Sequence, residues 1–443
     1  MQQEMSTLQT LNQFSLFRSR RFLPLFLTQF LGAFNDNFYK SAMVILITYR
    51  LADIAGYDSR ILVNVAGGIF ILPFFLFSAS AGQIADKYER SILIQFVKIA
   101  EIVVMSGAVL GFWLENIPLL MIILFLMGAQ SAFFGPVKYS ILPQHLNKDE
   151  LIAGNGLIQM GTFLSILTGT IFGGLTVLTA RGVRIVSFLV IGIAAAGWYA
   201  SRYIPKTKPI DPGLKLSANI ARDTAKIVGG VVPHKDTFLP ILGISWFWLI
   251  GATFLSQFPT YAKLVLGADE QVATLFLATF SVGIGLGSMA CNSFLKGKIS
   301  GRYVPWAAAV MSAASAILYL VSRRSPLMPG IPEMDILSFL SSWQNLSVLA
   351  CLLAISFAGG LYIVPLYAII QSRADESRMA GVIACSNISD SLFMVISAVG
   401  TSILLALGFS IPDIFLVMAV LTVIAAFFIR KAVREQMKQR GAL

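Results

Sequence analysis

Apolar positions in this chain do not alternate with polar ones. They run together for roughly twenty residues at a time and are broken by short polar stretches. A helix needs about 20 apolar residues to cross about 30 Å of hydrocarbon, and runs of that length predict spanning helices rather than a soluble core. Twelve such runs are read, at 22–48, 61–83, 92–112, 118–142, 152–178, 184–204, 238–262, 272–295, 303–321, 346–371, 380–406 and 411–430. An even number of crossings puts both termini on one side of the membrane. The expected fold class is an all-α membrane protein.

The polar interruptions set the organisation. The longest of them, Pro205 to Thr237, carries Lys206, Lys208, Lys215, Arg222, Lys226 and Lys235 and divides the runs six and six. The expected division is therefore a six-helix bundle over 1–204, a basic linker over 205–237, and a second six-helix bundle over 238–443 with a basic tail (Arg430, Lys431, Arg434, Lys438, Arg440). Arg323 to Trp343, rich in Pro and Ser, reads as a longer outer loop. The halves also repeat each other. GPVKYSILPQHLNKDELIAGNG (135–156) and VPLYAIIQSRADESRMAGVIAC (364–385) both leave the membrane through a Pro and a Tyr, cross a charged loop and re-enter at Ala-Gly. Pro136 and Pro365 lie 229 apart, Tyr139 and Tyr367 228, and Ala153 and Ala380 227. Repeated six-helix halves point to the major facilitator fold: twelve transmembrane helices in two pseudo-symmetric bundles, with a substrate site between them near mid-membrane.

Composition agrees with that class. Hydrophobic residues make up 56% of the 443 and charged residues 12%, against about 45–50% and about 25% in soluble domains. The net charge is +11, but its distribution rules out a nucleic-acid reading. Of the 33 Lys and Arg, 23 fall on the side of the linker and the termini. Seven (Arg50, Arg60, Arg181, Arg184, Lys263, Arg323, Arg324) fall on the other side. By the positive-inside rule the basic side is cytoplasmic, and the excess charge faces anionic membrane lipids. Residues 1–21 are polar and end in Arg18, Arg20 and Arg21. The apolar run behind them is too long for a signal peptide and lacks an A-x-A-like cleavage site, so it is expected to stay as the first span. Cys291, Cys351 and Cys385 lie in apolar runs without metal-type spacing, which predicts neither a disulfide framework nor a metal site. No Walker loop is present, and no cofactor is expected.

Away from the ends of the runs, six charged residues fall inside them: Asp36, Lys40, Lys98, Glu101, Lys138 and Asp390. Each needs a partner or an aqueous cavity, because a charge at the bilayer centre costs about 2.5–3.5 kcal/mol on insertion scales. Asp36 and Lys40 are four apart and share a helix face with Gln29, between Asn35 and Asn37. That stripe reads as a cavity wall in which Asp36 is an ion site or a head-group anchor, or as an intrahelical pair. Lys98 and Glu101, three apart on the third span, read as a structural or coupling pair. Lys138, beside Pro136 and Tyr139, either binds phosphate from the cavity or snorkels to the interface. Asp390 sits among Ser386, Asn387, Ser389 and Ser391, too polar a face for lipid, and is expected in the cavity with Asn387.

Two loop motifs complete the reading. GQIADKYER (82–90) has the spacing of the facilitator signature, with Glu89 where a glycine is usual and Ser91 in place of the second basic residue. Gly82 is expected at a close helix contact, and Asp86 and Arg90 are expected to pair, with a helix N-terminus, as a gate latch. HLNKDE (145–150) falls one residue short of the H-x4-D pattern of glycerolipid acyltransferases and is read as a loop and helix cap.

RRFLPLFLTQFLGAFNDNFYKSAMVILITY (20–49), GQIADKYERS (82–91) and FFGPVKYSILPQHLNKDELIAGNGLIQMGTFLSILTG (133–169) resemble bacterial lysophospholipid transporters of the LplT type. The resemblance is closest to the membrane portion of chains that fuse such a transporter to an acyltransferase and an acyl-ACP synthetase. It is carried mainly by the first six spans. It implies a flippase-like carrier, not an enzyme, in the bacterial inner membrane. Such a carrier moves lyso-phosphatidylethanolamine or lyso-phosphatidylglycerol to the cytoplasmic leaflet for reacylation by a separate acyltransferase/acyl-ACP synthetase or by one in a longer product. It also implies that Asn35, Asp36, Asn37 and Lys40 line the head-group path, with Lys138 and Tyr139 at its cytoplasmic end. Two other readings stay open on the residues alone. One is a proton-coupled carrier of a drug, siderophore or other organic solute; the other is a non-transporting scaffold for lipid-remodelling enzymes.

Overall fold

The computed structural model describes residues 13–51, 59–217, 219–323 and 333–439, with no account of the side chains of 59–61, 64 and 428–439. The expectations for residues 1–12, Arg324 and Arg440 lie outside the described residues, as do those for the side chains of Arg60, Arg430, Lys431, Arg434 and Lys438.

Among the described residues, twelve long helices account for the apolar runs: α1 (Leu23–Leu46), α2 (Ser59–Lys87), α3 (Arg90–Trp113), α4 (Ile117–His145), α5 (Leu151–Val177), α6 (Gly182–Ser201), α7 (Lys235–Thr260), α8 (Glu270–Leu295), α9 (Val304–Ser322), α10 (Trp343–Arg373), α11 (Met379–Ala406) and α12 (Ile411–Gln439). Ten of them are long and apolar enough to cross a membrane over their described lengths, and Ile411–Phe427 of α12 is a shorter apolar stretch. The tenth-to-twelfth difference at α1 has a local cause, since Asn35, Asp36, Asn37 and Lys40 dilute its hydropathy. Polar residues mark the helix starts. Glu89 caps α3 by accepting from Ser91 N and Ile92 N, Asn116 caps α4, and Asp269 caps α8. Pro73, Pro136, Pro143 and Pro365 lie inside α2, α4 and α10, as neighbouring helices in a membrane bundle permit.

The helices form two bundles. In the first, α1 packs on α5 and α6, and α4 on α2 and α3; in the second, α10 packs on α8 and α9, and α7 on α11. The halves meet chiefly through α2 against α11 and α5 against α8. A two-fold operation that exchanges the halves exchanges those two seams, which is the pseudo-symmetry expected from the repeat.

The linker is packed rather than loose. Ile210 N and Asp211 N donate to the Asp86 carbonyl at 3.1 and 2.9 Å. A short helix, Ile220–Val231, capped by Asn219, lies against both α2 and α11 with Asp223 buried. The linker therefore crosses the seam between the halves on the side where α2 ends and α11 begins, called the linker side below.

Candidate functional site

The two bundles enclose a cavity of about 330 Å³ between α1, α2, α4 and α5 on one side and α7, α10 and α11 on the other. Its polar lining combines Gln29, Asp36, Asn37 and Lys40 of α1, Lys98 of α3, Lys138 and Tyr139 of α4, and Asn387 and Asp390 of α11. The rest of the wall is mostly apolar, with Phe70 and Phe74 of α2, Phe134 of α4 and Trp248 of α7. Eight of the nine residues expected along the path, together with Lys98, thus face one space, although they come from distant segments.

Asn35 is the exception. It is fully buried and points away from the cavity, donating to Glu101 Oε1 (3.0 Å) and to the Val190 carbonyl (3.1 Å). One step along a helix turns a side chain by about 100°, which carries Asn35 from the cavity face to the interface with α3 and α6.

Asp36 and Lys40, for which the sequence leaves two readings open, both line the cavity, and each has a partner elsewhere. Asp36 Oδ2 accepts from Ser131 Oγ at 2.6 Å, and the Lys40 ammonium lies over the Phe70 ring, 5.2 Å from its centroid. A cation over a ring face is attracted by the ring quadrupole, and the serine hydroxyl gives the carboxylate a neutral donor. Both charges therefore face the cavity, each with a close partner on another helix.

Lys98 and Glu101 do pair. Their atoms lie 2.6 Å apart and each side chain is 1% exposed. Glu101 also accepts from Asn35 and from Gln130 Nε2 (3.3 Å), and Gln130 Oε1 accepts from Ser131 Oγ (3.1 Å). A chain of polar contacts thus runs from the buried pair through Gln130 and Ser131 to Asp36 in the cavity. Gly32 makes room for this: a Cβ there would collide with the Lys98 ammonium.

Lys138 faces inward. Its ammonium lies 4.6 Å from the Tyr139 centroid and 5.9 Å from that of Phe134. Across the cavity Asp390 accepts from Ser245 Oγ (2.7 Å) and Ser386 Oγ (3.5 Å).

Below these groups the cavity is closed on the linker side. Tyr139 and Tyr367 stack with centroids 4.3 Å apart and planes at 7°. Gln371 Nε2 donates to the Tyr139 carbonyl (3.0 Å), and Asn155 Nδ2 donates to Gln371 Oε1 (2.5 Å). Gly82 lies so close to α11 that a Cβ would stand 2.8 Å from Ala384 Cβ and 3.1 Å from the Ala380 carbonyl. Asp86 lies beside the backbone N–H groups of Ala380 and Gly381 at the start of α11, and Arg90 bonds Asp86 (3.4 Å) and the Ser140 carbonyl (3.1 Å). At the far ends of the same two helices, a Cβ added at Gly67, Gly68 or Gly400 would meet nothing within 4 Å.

Several residues of this closure escape a sequence reading. Glu89, conspicuous only as a departure from the signature, accepts from Thr207 N (2.7 Å) and Thr207 Oγ1 (2.9 Å) and so ties the linker to α3. Burial alone would raise this carboxyl. The hydrogen bonds from Ser91, Thr207 and Ile92 outweigh that and hold it below the usual glutamate range. Glu150, read as part of a cap, accepts a fork of two bonds from Arg21 at 2.6 and 2.7 Å as well as one from Asn147 N. Asn155 and Gln371 lie inside the two repeated segments, and that placement was their one available signal.

Comparison with known proteins fits this geometry. The sequence profile of the Major Facilitator Superfamily matches residues 14–323. The chain belongs to that superfamily. A protein of Serratia proteamaculans named lysophospholipid transporter LplT is 28% identical over 384 residues, covering 85% of this chain and 87% of that protein. The protein of the same name from Photorhabdus laumondii is 26% identical over 387 residues, at 86% and 87% coverage. Among solved structures, a bacterial homologue of the iron transporter ferroportin in its outward-facing state aligns with a TM-score of 0.64 at 14% identity, over 93% of this chain and 98% of that one. The fucose:proton symporter of E. coli aligns with a TM-score of 0.64 at 13% identity, over 94% and 99%. The likeness to the two solved structures is one of fold, and the chain is a multi-pass membrane protein.

Proposed function

We propose that this chain carries lysophospholipids across the bacterial inner membrane by alternating access, as a carrier and not an enzyme. The observation that carries the reading is the make-up of the cavity. Lys40, Lys98 and Lys138 share a small space with Asp36 and Asp390, inside walls that are otherwise largely aromatic and aliphatic. A zwitterionic phosphate ester needs both signs of charge at short range, and its single acyl chain needs apolar surface. Lys138 suits the phosphate as a point charge, and Asp36 or Asp390 suits an ammonium. The similarity to LplT proteins points the same way. By the positive-inside rule the linker side is cytoplasmic, so the closed seam and the cavity above it correspond to an outward-facing carrier. Substrate then enters from the outer leaflet and leaves toward the cytoplasmic leaflet, where a separate acyltransferase restores the missing chain.

The test is inward transfer of labelled lyso-phosphatidylethanolamine in proteoliposomes loaded from the outer leaflet, with Asp36→Asn alongside. Transfer above protein-free vesicles, reduced at least about tenfold by Asp36→Asn, is expected. Transfer no faster than in protein-free vesicles, with or without a proton or sodium gradient, overturns the reading and favours a soluble solute.

A further inference from the structure

The outer face of the first bundle carries a second cavity, of about 530 Å³, between the start of α1 and the end of α6. Leu23, Leu27 and Leu31 line it from α1. They stand four apart, on the stripe opposite Gln29, Ala33 and Asp36, so the helix that presents its polar face to the central cavity presents an aliphatic face here. Ala196 and Ala200 of α6 form the opposing wall, and their small side chains leave a groove rather than a packed contact. From Leu23 to Leu31 the groove follows about 12 Å of helix.

Its linker-side mouth has a different chemistry. Arg18 and Arg20 line it on one side and Tyr199 and Tyr203 on the other. Arg21 beside them is committed to Glu150, whereas Arg18 and Arg20 are exposed and have no carboxylate partner among the described residues. The two tyrosine hydroxyls lie 2.7 Å apart. One donates to the other, so the accepting hydroxyl keeps its own proton to give to a third group.

We propose that this groove holds one anionic diacyl phospholipid of the surrounding membrane. An acyl chain lies along the leucine and alanine strip, and the phosphodiester sits between the two guanidiniums and the free tyrosine proton. Guanidinium matches phosphate oxygens in a fork, and basic pockets between spanning helices on the cytoplasmic side suit anionic head groups. Charge decides the class. Two uncompensated cations favour a head group without an ammonium, which would add a third. The site lies across α1 from the transport cavity and is distinct from it.

The experiment is native mass spectrometry of the purified chain equilibrated with equal amounts of phosphatidylglycerol and phosphatidylethanolamine. One phosphatidylglycerol is expected to remain bound under activation that strips phosphatidylethanolamine, with a preference of several-fold. Arg18→Gln with Arg20→Gln is expected to abolish the preference. Ala200→Trp, which fills the groove and keeps both arginines, is expected to abolish retention. All three positions are on the outer face, and an unchanged gel-filtration profile establishes folding of each variant. Equal retention of both lipids by the wild type overturns the proposal. So does a preference that survives either variant, or displacement by lyso-phosphatidylethanolamine as easily as by phosphatidylglycerol, which would make the groove a substrate site.

Discussion

Lys98 and Glu101 show what a single buried charge costs in this bundle. Each is 1% exposed and compensated by the other, so removing one leaves its partner stranded. Lys98→Met is expected to destabilise the folded protein by about 3–5 kcal/mol, and Lys98→Met with Glu101→Leu to recover most of that loss; thermal unfolding in detergent measures both. Glu89 gives the corresponding expectation for pH. Its carboxyl is held below the ordinary glutamate range, so its contribution is fully present above the unfolded value of about 4.3 and is lost as pH falls through the lower native value. Exchange of the Thr207 and Ile92 amides, corrected for intrinsic rate, is therefore expected to stay slow from neutral pH to about 5 and to accelerate only in stronger acid. Glu89→Ala is expected to remove the protection at every pH. At this scale the sequence was informative wherever a charge fell in an apolar run, because burial makes such a residue conspicuous. It was silent on Ser131 and Gln130, whose polar groups are unremarkable until the fold sets them beside Asp36 and Glu101. It also left open whether Asp36 turns to Lys40 or to another helix, since helical spacing permits a pair without requiring one.

Among the elements, α2 and α11 show how a missing side chain sets a distance. Gly82 lets the two helices touch where a Cβ would overlap Ala384. Gly82→Leu is expected to hold the seam open on the linker side. Cys385, the fully buried neighbour of Ala384, then serves as a native reporter, and its labelling by a maleimide is expected to rise several-fold while Cys291 and Cys351 stay unreactive. Unchanged Cys385 labelling would show that the seam tolerates the bulk. The helices themselves were legible because the length of an apolar run and the thickness of a membrane are matched quantities. The boundaries read from sequence fall within a few residues of most helix ends, as with 22–48 against Leu23–Leu46. The linker helix Ile220–Val231 was not legible, since twelve residues in a basic loop resemble any solvated stretch until α2 and α11 supply its buried face.

At the level of the whole molecule, the contacts between halves described above gather on the linker side, and the alternating access proposed here requires them to part. A Cβ at Gly285 of α8 would lie 4.0 Å from Met160 Cβ of α5, within the 3.5–4.5 Å usual for a disulfide. Met160→Cys with Gly285→Cys is expected to cross-link the seam under oxidation and stop transfer, with recovery on reduction; transfer that continues in the cross-linked protein would show that this seam does not open. The repeat between the halves was visible in the spacing of Pro136/Pro365 and Tyr139/Tyr367, but which copies meet in space was not. The stack of Tyr139 on Tyr367 supplies that answer. These are corresponding positions of the two halves, and a position that touches its own counterpart must lie on the axis that relates them. On the proposed route, a head group leaving toward the linker side travels along the dyad itself. It has to separate two rings that the repeat sets face to face, so a change to either ring alters a contact to which both halves contribute the same kind of side chain.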